Sequence, residues 1–294
     1  AIQIVDWLLD MEKAGVDSDL FSIVEIGPGE GTLSRDLIEA IDEIAPTLTS
    51  KIEFVLVELN LGMRRRQEKV VNKLDKVTCR WSDFDELVLN PVTGVVIANE
   101  VLDAFPVERL VFRNNNTFRQ GVSMRKIDDE YFLEFVDLEL TSDIKEFLND
   151  SRSLLNIEFP PKDICNGWVT EWHCDLPIWF RRLSKILING SLLVVDYALE
   201  SKRYYNAMRN DGTLISYRNQ EANINLLRDS GCCDLTAHLC IESTVNSAQI
   251  NGWTFMGETR QGQALLALGL SKSLYSLQNI NSCDLSTALN KRES

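Results

Sequence analysis

The sequence predicts an α/β fold built around a mostly parallel sheet. Three observations carry this. Short β-rich apolar runs alternate with helical patterns through the first hundred residues, which is the signature of βαβ units. A glycine-rich turn joins the first of those runs to a helix. The chain has 294 residues, 45% hydrophobic and 25% charged, which fits one large globular unit or such a unit with a lobe inserted.

Element by element, "AIQIVDWLLDMEKAG" sets Ile4, Val5, Leu8, Leu9 and Met11 on one side of a helix. The chain enters that helix directly at Ala1, without Met, so a truncated start is expected. "FSIVEI" (21–26) reads as a strand. "TLSRDLIEAIDEI" follows as a helix with Leu33, Leu37, Ile38, Ile41 and Ile44 at helical spacing, Thr32 as its N-cap and Pro46 beyond its end. "IEFVLVE" (52–58) is a second strand, a helix runs from about Leu61 to Leu74, and "VTCRW" (77–81) and "GVVIA" (94–98) are strands three and four.

The pattern then changes. "ERLVFRNNNTFRQGVSMRKIDDEYFLEFVDL" holds three strand-like runs separated by Asn114-Asn115-Asn116 and Asp128-Asp129, both of them turn chemistry, and predicts an inserted β-meander. A helix is expected over 141–155 and a loop over 160–167. "EWHCDLPIWFRRLSKILI" reads as a helix leading through Asn189-Gly190 into "SLLVVDYA", a fifth strand, with Trp168, Trp172 and Trp179 as helix packing. Residues 199–232 are polar and irregular. "CDLTAHLCI" and "WTFMGET" are expected as the last strands with a short helix between them, and the tail from Ser271 as peripheral.

Thirty basic against forty-four acidic residues give a formal charge of −14. So acidic a chain repels phosphate backbones, which argues against nucleic acid and favours a cationic partner. The seven cysteines form an odd set without C-x-x-C spacing, as expected for thiols in a reducing compartment. Cys165, His173 and Cys174 fit no standard zinc spacing, so no metal site is expected. No apolar run approaches the length of a membrane span.

"VEIGPGEGT" (24–32) is the chemically informative turn. Gly27, Gly29 and Gly31 allow a sharp turn and a close approach to a ligand at a helix N-terminus. The spacing is G-x-G-x-G and not the G-x-G-x-x-G that brings amides to a pyrophosphate. Glu25 ahead of it suits a ligand carrying an ammonium group. Glu58, at the end of the second strand, stands where an acid meets ribose hydroxyls. Asp83, just past strand three, reads equally as an adenine contact or a solvated loop acid.

"VVIANEVLDAFPVERLV" (95–111) raises a different question. A buried apolar strand delivers Asn99, Glu100 and Asp103 at its tip, and carboxylates are costly to desolvate unless a cation meets them. At i, i+3 the two acids share one side if the segment starts a helix. His238, in "DLTAH", is a candidate base or orienting group, and Asp196 and Tyr197, at the end of strand five, could line the pocket.

Taken in order, "VEIGPGEGTLSRDL", "ANEVLDAFPV", "LLVVDYA", "DGTLISYR" and "DLTAHL" resemble the MidA-like class I S-adenosylmethionine-dependent methyltransferases, the family that includes the mitochondrial complex I assembly arginine methyltransferase. The resemblance covers about residues 1–270. It implies a Rossmann-like, seven-stranded, mostly parallel methyltransferase sheet, S-adenosyl-L-methionine as cofactor, and symmetric dimethylation of an arginine on a complex I subunit in the mitochondrial matrix. It implies cofactor binding by Glu25, Gly27, Pro28, Gly29, Gly31, Thr32, Glu58, Asp83 and Asn99, and chemistry at Glu100, Asp103 and His238. On this reading, 1–112 is the cofactor-binding half of the core and 113–170 an inserted β-meander and helical lobe. Residues 171–270 complete the core with a substrate-side loop at 199–232, and 271–294 is a polar tail. Relatives also carry a stretch ahead of Ala1. Glu30, Ala198, Cys240 and Asn219-Gln220 depart from the family pattern, the last three on the side where substrate approaches. Two rival readings stay open: a binding factor that does not turn over, and a methyltransferase for a small molecule.

Overall fold

The computed structural model describes residues 1–16, 18–71 and 77–278. In chain order the core opens with α1 (Ile2–Lys13), β1 (Phe21–Ile26), α2 (Thr32–Ile44), β2 (Ile52–Val57), α3 (Leu61–Val71), β3 (Thr78–Ser82), α4 (Phe84–Leu89) and β4 (Val92–Asn99). The antiparallel strands β5 (Glu108–Arg113), β6 (Asn116–Ile127) and β7 (Glu130–Leu138) follow, then α5 (Ser142–Leu155), β8 (Trp168–Trp172), α6 (Leu176–Ile186) and β9 (Leu187–Val195). The remainder is β10 (Ala198–Leu199), α7 (Ser201–Tyr204), β11 (Ile215–Arg218), β12 (Glu221–Asn223), β13 (Asp234–Thr236), β14 (Leu239–Cys240), α8 (Ile241–Gln249), α9 (Gln261–Ala267) and α10 (Leu270–Gln278).

Among the described residues the central sheet has five strands, all parallel, in the order β3-β2-β1-β4-β9. Both faces are covered, so the apolar residues of its inner strands alternate between two cores. Ile23, Phe54, Leu56, Val95 and Ile97 pack against Ile4, Val5 and Leu8 of α1, Leu37, Ile38 and Ile41 of α2, and Val71 of α3. Val24, Ile26, Val55, Val57, Val96 and Ala98 face the other way, onto Leu87 of α4 and Leu176, Trp179, Phe180, Leu183 and Ile186 of α6. The strand order reverses between β1 and β4. In such sheets that is the switch point where a crevice forms at the carboxyl ends.

A second sheet, β7-β6-β5-β8, is antiparallel and stands beside the core. Its floor is an aromatic cluster in which Phe147 stacks on Trp172 at 4.7 Å and Phe112 and Phe159 flank Trp168.

Several sequence expectations change. The sheet has five parallel strands among the described residues, where the resemblance implied seven. Residues 168–172 form β8, pairing with β5, so Trp168 and Trp172 pack from a strand and the helix is confined to α6. The alternation of Trp168, Thr170 and Trp172 carries the strand signal that the helical reading missed. Gly31, in the left-handed region, is the N-cap of α2, and Thr32 is its first residue. "WTFMGET" forms no strand among the described residues: Trp253 packs on the core and donates to the Phe180 carbonyl, and the residues after it are exposed. Within 199–232, β11 and β12 form a small hairpin completed by β13. Residues 270–278 are helical, while the rest of the expected tail and the end of the third expected helix, 72–74, lie outside the described residues.

Packing at the middle of the sheet is tight. Gly94 of β4 lies between Ser22 of β1 and Gly190 of β9. A Cβ on Gly190 would come within 1.8 Å of the Gly94 carbonyl oxygen, at φ +144°. Gly190→Ala is therefore expected to destabilise the chain by about 3 kcal/mol or more. Gly257→Ala, with comparable φ but open space around it, should cost about 1 kcal/mol. Urea denaturation of the two variants beside the parent checks this.

Candidate functional site

The carboxyl end of β1 runs into the glycine turn. Gly27, Gly29 and Gly31 all have positive φ (63°, 52° and 79°), so the turn needs the conformations that only glycine adopts freely. Pro28 is buried beneath it, and its carbonyl accepts the Gly31 amide at 2.7 Å. A Cβ on Gly27 would press on Val101 of the next loop at 3.3 Å, while nothing lies within 4 Å of one on Gly29. The crest of the turn is open.

Glu25 lies under this turn, 3% exposed, and accepts a hydrogen bond from Ser34. Burial pushes its carboxyl up to about 7, against the opposing hydrogen bonds from Ser34. Glu58, half-exposed past the end of β2, accepts the Asn60 amide at 2.8 Å and the Gln67 side-chain amide at 3.3 Å.

Gln67, which the sequence reading passed over, joins the pieces. It is fully buried on α3. Its amide nitrogen donates to the Gly29 carbonyl at 2.7 Å and reaches Glu58, while its oxygen accepts the Trp81 indole at 2.8 Å. One side chain thus fixes the glycine turn relative to the tips of β2 and β3. A polar residue one turn before Val71, on the face that turns inward, is the only signal the sequence offers. Asp83 caps α4, accepting the Glu86 amide at 2.8 Å.

At the end of β4, Asn99 is half-exposed and Glu100 has a positive φ of 50°, uncommon for a residue with a side chain. The expected helix start does not form, because residues 102–105 make a turn closed by the Phe105 amide on the Leu102 carbonyl. Glu100 and Asp103 therefore do not stack on a helix face. Glu100 is exposed and Asp103 is 7% exposed, yet both act on the Tyr197 phenol, whose pKa is raised first by Glu100 and further by Asp103. The Tyr197 hydroxyl donates to Glu100 Oε1 at 3.4 Å.

Asp103 is held from three directions. Its carbonyl accepts the Ala237 amide at 2.9 Å, its Oδ2 accepts the Thr236 hydroxyl at 2.7 Å, and its amide reaches Asp196 Oδ2 at 3.3 Å. Its Oδ1 is buried with no hydrogen-bond partner. Asp196 also accepts the Leu102 amide at 2.9 Å, and its carboxyl is pushed up by burial and by the charge of Asp103. His238 is half-buried, with its ring 6.1 Å from that of Tyr197. Burial and the Arg209 charge lower its pKa, Asp103 opposing, so it is neutral near pH 7. Glu100, Asp103, Asp196, Tyr197 and His238 thus converge at the carboxyl ends of β4 and β9, beside the glycine turn. The arrangement is a cluster of acids at one end of the sheet, with one buried carboxylate oxygen lacking a hydrogen-bond partner.

A family profile described as "Putative S-adenosyl-L-methionine-dependent methyltransferase" matches residues 1–259. Among solved structures, one from Burkholderia thailandensis with S-adenosyl-homocysteine bound is 25% identical with a TM-score of 0.76, over 95% of this chain and 66% of that one. A second, native structure from the same organism is 26% identical with a TM-score of 0.75, over 97% of this chain and 71% of that one. The chain thus spans about two thirds of the length of these proteins. No curated protein matches it. Among the described residues no helix is long and apolar enough to cross a membrane.

Two expectations follow from the cradle. Gln67→Leu leaves the Gly29 carbonyl and the Trp81 indole without their partner, so S-adenosyl-homocysteine affinity should fall about tenfold by calorimetry. The second concerns pH. Since the folded-state pKa of Glu25 lies above its ordinary 4.5, the folded chain retains a proton that the unfolded chain loses, and stability falls as pH rises from 4.5 through about 7. Glu25→Gln should flatten that slope, gaining up to about 3 kcal/mol relative to the parent between pH 4 and pH 8 in denaturant titrations.

Proposed function

We propose that this chain, which belongs to the S-adenosyl-L-methionine-dependent methyltransferase family, transfers methyl groups to an arginine side chain of a protein. The observation that carries the reading is the unpartnered, buried Oδ1 of Asp103, close to the carboxylates of Glu100 and Asp196. Three acids without a cation among them fit a guanidinium, whose N–H fork matches carboxylate geometry. Symmetric dimethylation, a complex I subunit as target and mitochondrial placement follow from the resemblance to the MidA-like enzymes and belong to the same proposal.

The residues suit the cofactor chemistry. The crest at Gly29 leaves room for a ligand, Glu25 lies beneath the turn where an ammonium group would be met, and Glu58 keeps lone pairs for hydroxyls. Bound S-adenosyl-L-methionine supplies a methyl carbon activated by a sulfonium, and the electron pair of the breaking C–S bond stays on sulfur as the new C–N bond forms. The chain does the rest. Guanidinium nitrogens are poor nucleophiles because their lone pairs are delocalised. Asp103 Oδ1 and Glu100 draw the positive charge toward the nitrogens they bind and orient the remaining one for in-line attack. The proton lost from that nitrogen passes to neutral His238, 6.1 Å from Tyr197 between ring centres, or to water. Asp196 acts on the turn and not on the substrate, by holding the Leu102 and Asp103 amides.

The test is transfer of label from methyl-labelled S-adenosyl-L-methionine into proteins of a mitochondrial extract. The doubly substituted Glu100→Gln, Asp103→Asn chain should lose at least about a hundredfold in rate. Its S-adenosyl-homocysteine affinity should stay within about twofold. Label on lysine or on a metabolite would overturn the arginine assignment, and no label anywhere, with cofactor binding intact, would leave a binding factor. Asp196→Asn, which misplaces Asp103, should lower kcat by more than it raises KM.

A further inference from the structure

We infer that Arg209 forms a second subsite, one that receives a carboxylate of the methyl acceptor beside the acidic recess; the inference rests on the methyl-transfer reading above. Arg209 lies on the segment between α7 and β11, which is fastened to the antiparallel sheet on both sides of it. The Trp168 indole donates to the Asn206 carbonyl at 3.1 Å, the Val169 amide to the Asn210 carbonyl at 2.8 Å, and Arg109 Nη2 to the Asp211 carbonyl at 3.0 Å. The Thr213 amide then donates to the fully buried carboxylate of Glu171 at 2.7 Å. The backbone around Arg209 is therefore fixed, and its side chain is the member left over.

The other partly buried arginines among the described residues have oxygen partners. Arg80 pairs with Glu53 at 2.9 Å, Arg109 with Glu171 at 3.3 Å, and Arg64 donates to the Glu58 and Ser82 carbonyls. Arg209 is half-buried, its Nε is buried without a partner, and among the described residues no carboxylate lies within ion-pair distance. Withdrawing a guanidinium donor from water and leaving it unpaired costs free energy that a bound anion would return.

The position of that anion follows from His238. The charges of both Arg209 and Asp103 reach this imidazole, with opposite signs. Its backbone amide donates to Thr213 Oγ1 at 3.2 Å, which ties the Arg209 segment to the strand connection beside Asp103. The acids, on the turn after β4, and the unpaired cation, on the segment held by β8, therefore lie within electrostatic reach of one imidazole. An acceptor that satisfies both carries its positive group and a carboxylate close together, as an arginine with a neighbouring aspartate or glutamate does. A bidentate carboxylate would also use the planar fork that lysine lacks.

The experiment starts from the arginine labelled in the extract, identified by mass spectrometry, and a synthetic peptide that copies its surroundings. An acidic residue near that arginine is expected. Changing it to its amide should lower kcat/KM with the parent chain about tenfold or more, mainly through KM. Arg209→Gln should show the same loss with the acidic peptide and no further loss with the amide peptide, while S-adenosyl-homocysteine affinity is unchanged. Arg209→Lys should fall between. Equal rates on the acidic and amide peptides would overturn the subsite while methyl transfer to arginine stands. This comparison needs only the parent chain, so a poorly folding variant does not affect it. Weaker S-adenosyl-homocysteine binding by Arg209→Gln would assign the guanidinium to the cofactor's carboxylate and overturn the acceptor assignment. Absence of any labelled arginine would overturn both readings together.

Discussion

Asp196 Oδ2 accepts the amides of Leu102 and Asp103 from across the β4–β9 boundary, and its Oδ1 takes the amide of Tyr197 at 2.8 Å. With those three bonds, the turn after β4 and the chain leaving β9 become one body. The polar groups gathered at the ends of β4 and β9 are referred to that body. Glu100 is posed by it through the Val195 carbonyl, Tyr197 extends from it, and Asp103 is delivered by it to Thr236 and Ala237. The cofactor side has its counterpart in Gln67, which spans three strand tips with one amide group.

Both hubs stand at the carboxyl ends of parallel strands, and the sheet's dense centre is why they can. Gly94 and Gly190 leave no room for a Cβ where β1, β4 and β9 lie side by side, and the register sets Ile26, Ala98 and Val194 level at their tips. Repulsion within the resulting acidic recess is the electrostatic consequence. Asp103 raises the pKa of Asp196, and both Glu100 and Asp103 raise that of Tyr197. Among the described residues no cation forms an ion pair with Glu100, Asp103 or Asp196, and the Arg209 charge is felt at His238. A cationic ligand would complete the cluster, which is the pattern of a site organised before its cation arrives.

The central strands and the glycine turn were legible because local rules govern them. Runs such as "FVLV" (54–57) are apolar on both faces, and all three glycines of the G-x-G-x-G turn have positive φ. Trp168–Trp172 misled because a five-residue strand abutting a helix offers too short a window for its period to be read. Glu100 and Asp103 were visible as residue types, yet their relation was not, since it depends on Tyr197, nearly a hundred positions on. Gln67 and Arg209 were the least legible. Gln67 becomes informative only once α3 is placed against the turn, and Arg209 only once the bonds that fix the backbone on either side of it are seen.

The loop carrying Arg209 and Thr213 hangs from β5 and β8, and not from the parallel core. The antiparallel sheet is thus no ornament on a complete enzyme core. Trimming 108–172 in search of a minimal domain would leave the glycine turn with its own supports and release the loop that carries Arg209 and Thr213. Modularity in this chain runs through the middle of the site, so halves that look separable by topology are not separable by chemistry.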